Sequence, residues 1–122
     1  MRSRFLLLAA VGGFTGVAMG AFGAHALKHS LTDVLTETYK TAVHYQLIHS
    51  LALGLIAVLP ADRRLRWAGW CMTFGIVLFS GSLYLLAIFN LKPLGMITPF
   101  GGMAFLAGWS LLAWFAYQSP EH

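Results

Sequence analysis

Charge is what this chain has least of. Only 10% of its 122 residues are Asp, Glu, Lys or Arg, and 4 of those are acidic. Soluble domains carry about a quarter charged residues, so this composition cannot furnish a wetted surface. Cysteine is equally scarce. Cys71 stands alone, which excludes an intramolecular disulfide and any cysteine-based metal motif, and it reads as a small buried apolar residue. The 4 prolines avoid the interior of every apolar stretch. No GxSxG motif and no acidic residue inside an apolar stretch is present, so hydrolytic catalysis lacks its parts. No basic tract is interleaved with aromatics in the manner of a nucleic-acid surface.

What fills the chain is apolar. Hydrophobic residues make up 58%, and four long runs, Phe5–Leu27, Ala42–Leu59, Trp67–Phe89 and Pro99–Tyr117, take most of the length. A helix needs about 20 predominantly apolar residues to cross a hydrocarbon core of about 30 Å. The runs are apolar all round, without the charged faces of a soluble bundle. The expectation is an all-α integral membrane protein, a single transmembrane domain over 1–122 with four spanning helices near 5–27, 33–59, 67–89 and 99–117. The second helix starts ahead of its run because the polar segment from His29 to Tyr39 is helix-compatible. Ser30 with Asp33 loosely resembles a capping box there, and Thr32 is another cap. Pro60 closes that helix. Thr98-Pro99 reads as a hydroxyl cap followed by proline at the first helical position of the fourth.

The net charge of +4 is unevenly spread. Arg2, Arg4, Arg63, Arg64 and Arg66 flank one side of the predicted spans, and Lys28, Lys40 and Lys92 the other. Under the positive-inside rule both termini are cytoplasmic, in a multi-pass protein of the inner (plasma) membrane. The arginine-rich loop is an orientation signal first and an attraction for anionic headgroups second. Trp67, Trp70, Trp114 and Tyr117 suit the same interface.

The N-terminus has a rival reading. A basic start, an apolar stretch and the small-x-small Ala24-His25-Ala26 have the form of a cleavable signal. The apolar stretch is longer than the usual signal core of about 7–15 residues, and it carries Gly12, Gly16, Gly20 and Ala24, a small residue at every fourth position. Such a stripe lets helix backbones approach in lipid, where no hydrophobic effect draws them together. A retained first helix is expected, packing through that stripe on a neighbouring helix or a second protomer.

The polar residues inside the runs lie mostly in the half opposite the arginines: His25, then His44, Tyr45, Gln46, His49 and Ser50, then Ser80, Ser82, Tyr84 and Asn90, then Thr98. Such groups are costly in hydrocarbon and face the interior. Tyr45 and His49 are four apart and Gln46 and His49 three apart, so they neighbour one another on one helix while His44 points elsewhere. The candidate ligand-binding residues are His25, Tyr45, Gln46, His49 and Tyr84. Three functions fit. The cluster binds or passes a small molecule or proton, with histidine as titrating element; or it ties helices together in a structural or assembly protein; or it holds a cofactor, haem between two histidines or a quinone between His and Tyr. The residues name no cofactor among these. Metal ligation is weak: His25 and His29 have helical spacing but no carboxylate beside them, and Ser80 and Ser82 read as packing residues. The start of the fourth helix, with Gly101 and Gly102, offers amides to an anion or close packing to a neighbour. Expected partners are the lipid bilayer and a homo-oligomer or membrane-protein partner, with no nucleic acid.

Gly20-Ala21-Phe22-Gly23-Ala24-His25, Ala42-Val43-His44-Tyr45-Gln46-Leu47-Ile48-His49-Ser50-Leu51-Ala52-Leu53, Phe79-Ser80-Gly81-Ser82-Leu83-Tyr84 and Ile97-Thr98-Pro99-Phe100-Gly101-Gly102, with Gly108-Trp109, occur in order along nearly the whole chain. This set resembles the DUF423 family of small membrane proteins, also called UPF0382, whose eukaryotic relatives include transmembrane protein 256. The resemblance implies four transmembrane helices and a bacterial inner-membrane location, places His25, Tyr45, Gln46 and His49 on family motifs, argues against a cleaved signal, and transfers no reaction.

Overall fold

A computed structural model of the chain describes residues 2–27 and 29–118. Of the residues used above, Lys28 lies outside this set. The described residues form helices joined by short connections and no strand. Helix α1 is Arg2–His25 and α2 is Asp33–Val58. The third span begins as α3, Arg63–Gly75, passes through a π-helical segment, Ile76–Ser80, and continues as α4, Gly81–Phe89. A 3-10 turn, Lys92–Met96, leads into α5, Thr98–Tyr117. Four stretches are long and apolar enough to cross a membrane: Ser3–His25, Asp33–Val58, Arg63–Phe89 and Lys92–Tyr117.

Local chemistry sets the boundaries. Thr32, and not the Ser30–Asp33 capping box, caps α2, its Oγ1 accepting the Leu35 N–H at 3.2 Å. Asp62 caps α3 by accepting the Arg64 N–H at 2.8 Å. That cap starts the helix at Arg63, a turn ahead of the apolar run, because three arginines are good helix formers once a carboxylate terminates the turn before them. Arg64 also grips Asp62 through Nε and an Nη, each at 3.0 Å, which holds the carboxyl below its ordinary range. The hydroxyl cap expected at Thr98 is corrected. Thr98 is already helical, Ile97 occupies the cap without a side-chain bond, and the preceding 3-10 turn feeds straight into α5. The Thr98 hydroxyl is therefore free to meet Ser82 Oγ at 2.6 Å.

Helix α2 is the centre of the fold and the most buried span, whereas α1 is the least. It packs against α1 on one side and against α3, the π segment and α4 on the other, while α5 lies along α3 and the π segment. At the arginine end the core is apolar: Phe5, Leu53, Ile56, Leu65 and Met72 are buried with Phe105. Phe5 lies against Gly69 and edge-on to Trp70, ring centroids 5.4 Å apart. The other half of the bundle is held by polar contacts.

The π segment is the irregularity that places the polar half. The Gly81 N–H reaches back to the Ile76 carbonyl, so one extra residue occupies the turn. Ser80 thereby donates to the Ala42 carbonyl of α2 at 2.7 Å, and Ser82 covers the Phe79 carbonyl at 3.0 Å. Helix α5 presses close against the segment at a glycine. A methyl at Gly101 would lie 2.8 Å from the Phe79 Cα, inside contact distance of backbone that cannot rotate away.

Candidate functional site

Gln46 and His49 are both buried on α2, yet they serve different neighbours. Gln46 turns toward α1 and α4. Its amide donates to the Gly12 carbonyl at 2.9 Å and to Thr15 Oγ1 at 2.7 Å, and its carbonyl accepts the Tyr84 hydroxyl at 2.6 Å. Both amide protons are used. Thr15 passes its own proton to the Val11 carbonyl at 2.8 Å. Tyr39 extends the seam, donating to the Met19 carbonyl of α1 and lying edge-on to Tyr84 at 5.3 Å. Three helices meet at this amide, and its geometry is that of a fastening.

His49 faces α5. The Trp109 indole N–H, which can only donate, ends 3.0 Å from Nε2, so Nε2 presents its lone pair and the imidazole proton sits on Nδ1. Nδ1 lies 2.7 Å from the Tyr45 carbonyl, where it donates. Phe105 lies nearly parallel to the imidazole, centroids 3.5 Å apart, and Tyr45 stacks on it at 5.8 Å. Tyr45 also leans on Phe79 at 4.6 Å. Both imidazole nitrogens are engaged, so neither stands ready for a haem iron or a proton chain without displacing Trp109 or opening the Tyr45 contact.

Over this stack runs an open groove of ≈ 620 Å³ between α2 and α5, bordered by Tyr45, His49, Phe79, Pro99, Met103 and Trp109. That is the size of a small-ligand site, about 300–1,000 Å³. The expectation that Tyr45 faces the interior is corrected: the residue is 40% exposed beside the groove, and its hydroxyl makes no hydrogen bond among the described residues. His44 is exposed beside it, as its phase on α2 requires.

The remaining candidates lie apart. His25 is exposed at the end of α1, away from both polar groups. No cluster of three His, Cys, Asp or Glu side chains able to hold a metal occurs among the described residues. The small-residue stripe of α1 runs along α2. A methyl at Gly12 would overlap the Ser50 hydroxyl, one at Gly16 would come 2.7 Å from a Leu47 methyl, and one at Gly20 would touch Val43 at 3.4 Å. Ala24 is exposed. Ser50 Oγ is buried without a conventional partner among the described residues; it lies against Gly12, where a weak Cα–H···O contact between helices is available to it.

Trp109, Phe105 and Thr15 touch the candidate residues Gln46 and His49, and polarity alone did not single them out. Trp109 carried a legible signal. It lies eleven positions into α5, about 17 Å along the axis. Tryptophan prefers the interface, so one at mid-membrane depth requires an acceptor for its N–H.

Four spanning-capable helices with internal polar fastenings define a small polytopic membrane protein. Residues 19–102 match the family described as "Protein of unknown function (DUF423)". Among curated relatives, the UPF0382 membrane protein SH2409 of Staphylococcus haemolyticus is 44% identical over 88% of this chain and 90% of its own length. The UPF0382 inner membrane protein YgdD of Escherichia coli K12 is 46% identical over 92% of this chain and 88% of its own. The UPF0382 membrane protein SSP2132 of Staphylococcus saprophyticus is 40% identical over 88% and 92%. The chain belongs to the DUF423, or UPF0382, family. No solved structure matches it.

Proposed function

We propose that this protein binds a flat, lipid-soluble small molecule in the groove between α2 and α5, with Tyr45 as hydrogen-bond donor and His49 as part of its aromatic floor. The observation that carries the reading is the Tyr45 hydroxyl, which has no hydrogen-bond partner among the described residues and stands within an apolar span beside a groove walled by Phe79, Phe105 and Trp109. A polar group in hydrocarbon is costly without a partner, and a ring bearing a carbonyl acceptor, as in a quinone, would supply one. Passage of a proton or solute is less well supported, because the His49 nitrogens are both engaged. On this reading Gln46 and Tyr84 belong to the helix fastening, and His25 lies outside the groove.

A second reading keeps the whole interior structural, with Gln46 as its best support, since every polar atom of that amide serves another helix. The two are separated by tryptophan fluorescence of the purified protein titrated with a short-chain ubiquinone analogue. Binding predicts saturable quenching that disappears in Trp109→Phe and weakens in Tyr45→Phe, which keeps the stacked ring. Linear, non-saturating quenching, unchanged by Tyr45→Phe, would leave only the structural reading.

The bilayer orientation belongs to the same proposal. Arg4, Arg63, Arg64 and Arg66 share one end of the bundle and Lys40 and Lys92 the other, which favours cytoplasmic termini. The groove then opens in the outer half of the membrane.

A further inference from the structure

A second recess lies at the arginine end, far from the His49 groove. It measures ≈ 430 Å³; Leu59 and Pro60 give it an apolar wall over the buried Phe5, Ile56 and Leu65, and Arg63 and Arg66 border it. Both arginines are exposed and form no ion pair among the described residues. Asp62 also borders the recess, but its carboxylate is taken up by Arg64. Arg64 itself is committed elsewhere: it donates to the Gln118 side chain at 2.7 Å and its guanidinium sits 5.2 Å from the Trp114 ring. Two guanidinium groups without an ion-pair partner among the described residues therefore border this hollow. Exposed Trp67 and Trp114 at the same end mark headgroup depth.

We propose that this recess is a binding site for one anionic glycerophospholipid, its phosphate between Arg63 and Arg66 and an acyl chain against Leu59 and Pro60. Guanidinium groups bind phosphate oxygens in paired hydrogen bonds. A zwitterionic lipid brings a cationic amine to the same place, where two arginines repel it, so the charge pattern selects a net-anionic headgroup. The apolar wall distinguishes a lipid from a free anion, which would leave it empty.

The test is native mass spectrometry of the full-length protein in mild detergent, titrated with phosphatidylglycerol or with phosphatidylcholine of the same chains. In detergent the arginines act on binding alone and not on membrane insertion. Phosphatidylglycerol is expected to saturate at one molecule per chain. Arg63→Gln with Arg66→Gln should weaken it on the order of tenfold, each surface cation contributing to anionic-lipid attraction, while phosphatidylcholine is unaffected. Ala61→Trp, at an exposed position bordering the recess, keeps both charges, narrows the hollow and should also weaken binding. Lys92→Gln at the opposite end should change nothing. Equal binding of the two lipids, an equal loss in Lys92→Gln, full binding by the double variant, or displacement by millimolar inorganic phosphate would each overturn the proposal. Circular dichroism of each variant confirms that the loss is of lipid and not of fold.

Discussion

The indole N–H of Trp109 ends 3.0 Å from Nε2 of His49, sixty residues away in sequence. This bond fixes the imidazole tautomer and joins the central helix to the last one. Trp109→Phe keeps an aromatic ring but leaves the buried Nε2 lone pair without a donor. The expected loss is about 0.6–1.7 kcal/mol, the range of interhelical hydrogen bonds in lipid, read as a lowered unfolding midpoint in bicelles. Unchanged stability would mean that the bond contributes nothing beyond ring packing.

Gln46 and Tyr84 form the complementary fastening on the other side of α2. A double-mutant cycle of Gln46→Leu with Tyr84→Phe should give a coupling of about 0.6–1.7 kcal/mol. Gln46→Leu alone should cost more than Tyr84→Phe alone, since the amide also serves Gly12 and Thr15. Equal single effects with no coupling would remove this amide as a node.

Glycines of this chain should differ sharply in tolerance. Gly101→Ala pushes a methyl into the backbone of Phe79 and should cost about 1–3 kcal/mol, as overpacking does. Gly16→Leu should force α1 away from Leu47 and Gln46 and lower the unfolding midpoint in detergent. Gly81→Ala meets no atom within 4 Å and should be neutral or stabilising by up to about 1 kcal/mol. Thermal melts of the three variants side by side check the order, and a reversed rank would refute the packing described for α5 on the π segment.

Orientation yields a chemical test. In a Cys71-free background, single cysteines at the exposed positions Ser3 and Ala61 should be shielded from an impermeant thiol reagent in intact cells, while those at Asp33 and Lys92 should react. The opposite labelling pattern would invert the arrangement inferred from the arginines.

Much of the fold was legible because hydrocarbon leaves a chain few options. Where water is absent every backbone amide must be paired inside the protein, and an apolar run of about 20 residues is helix length and not strand length, so runs such as Trp67–Phe89 declare helices without reference to the rest of the chain. The cap at Thr32 was readable for a similar reason, being a local bond between a hydroxyl and an amide three residues on. Thr98 misled because an equally local signal was overruled by the 3-10 turn before it and by Ser82 across the helix contact.

Polarity inside apolar runs marked Tyr45, Gln46, His49 and Tyr84 as residues of interest but not their arrangement, and it also marked His25, which lies apart and exposed. Sequence periodicity places Gln46 and His49 near one another on α2, and it cannot say that this helix is central, with partners on both sides. Only the tertiary structure turned Gln46 to Thr15 and Tyr84 and gave His49 to Trp109, because donors and acceptors choose among whatever groups packing brings within about 3 Å. Membrane residence could be read from the chain alone, since it follows from apolar composition summed along four long runs. Which polar atoms meet inside depends on helix rotation, on the glycines that let α1 and α5 approach, and on one extra residue in the π turn at Ile76–Ser80.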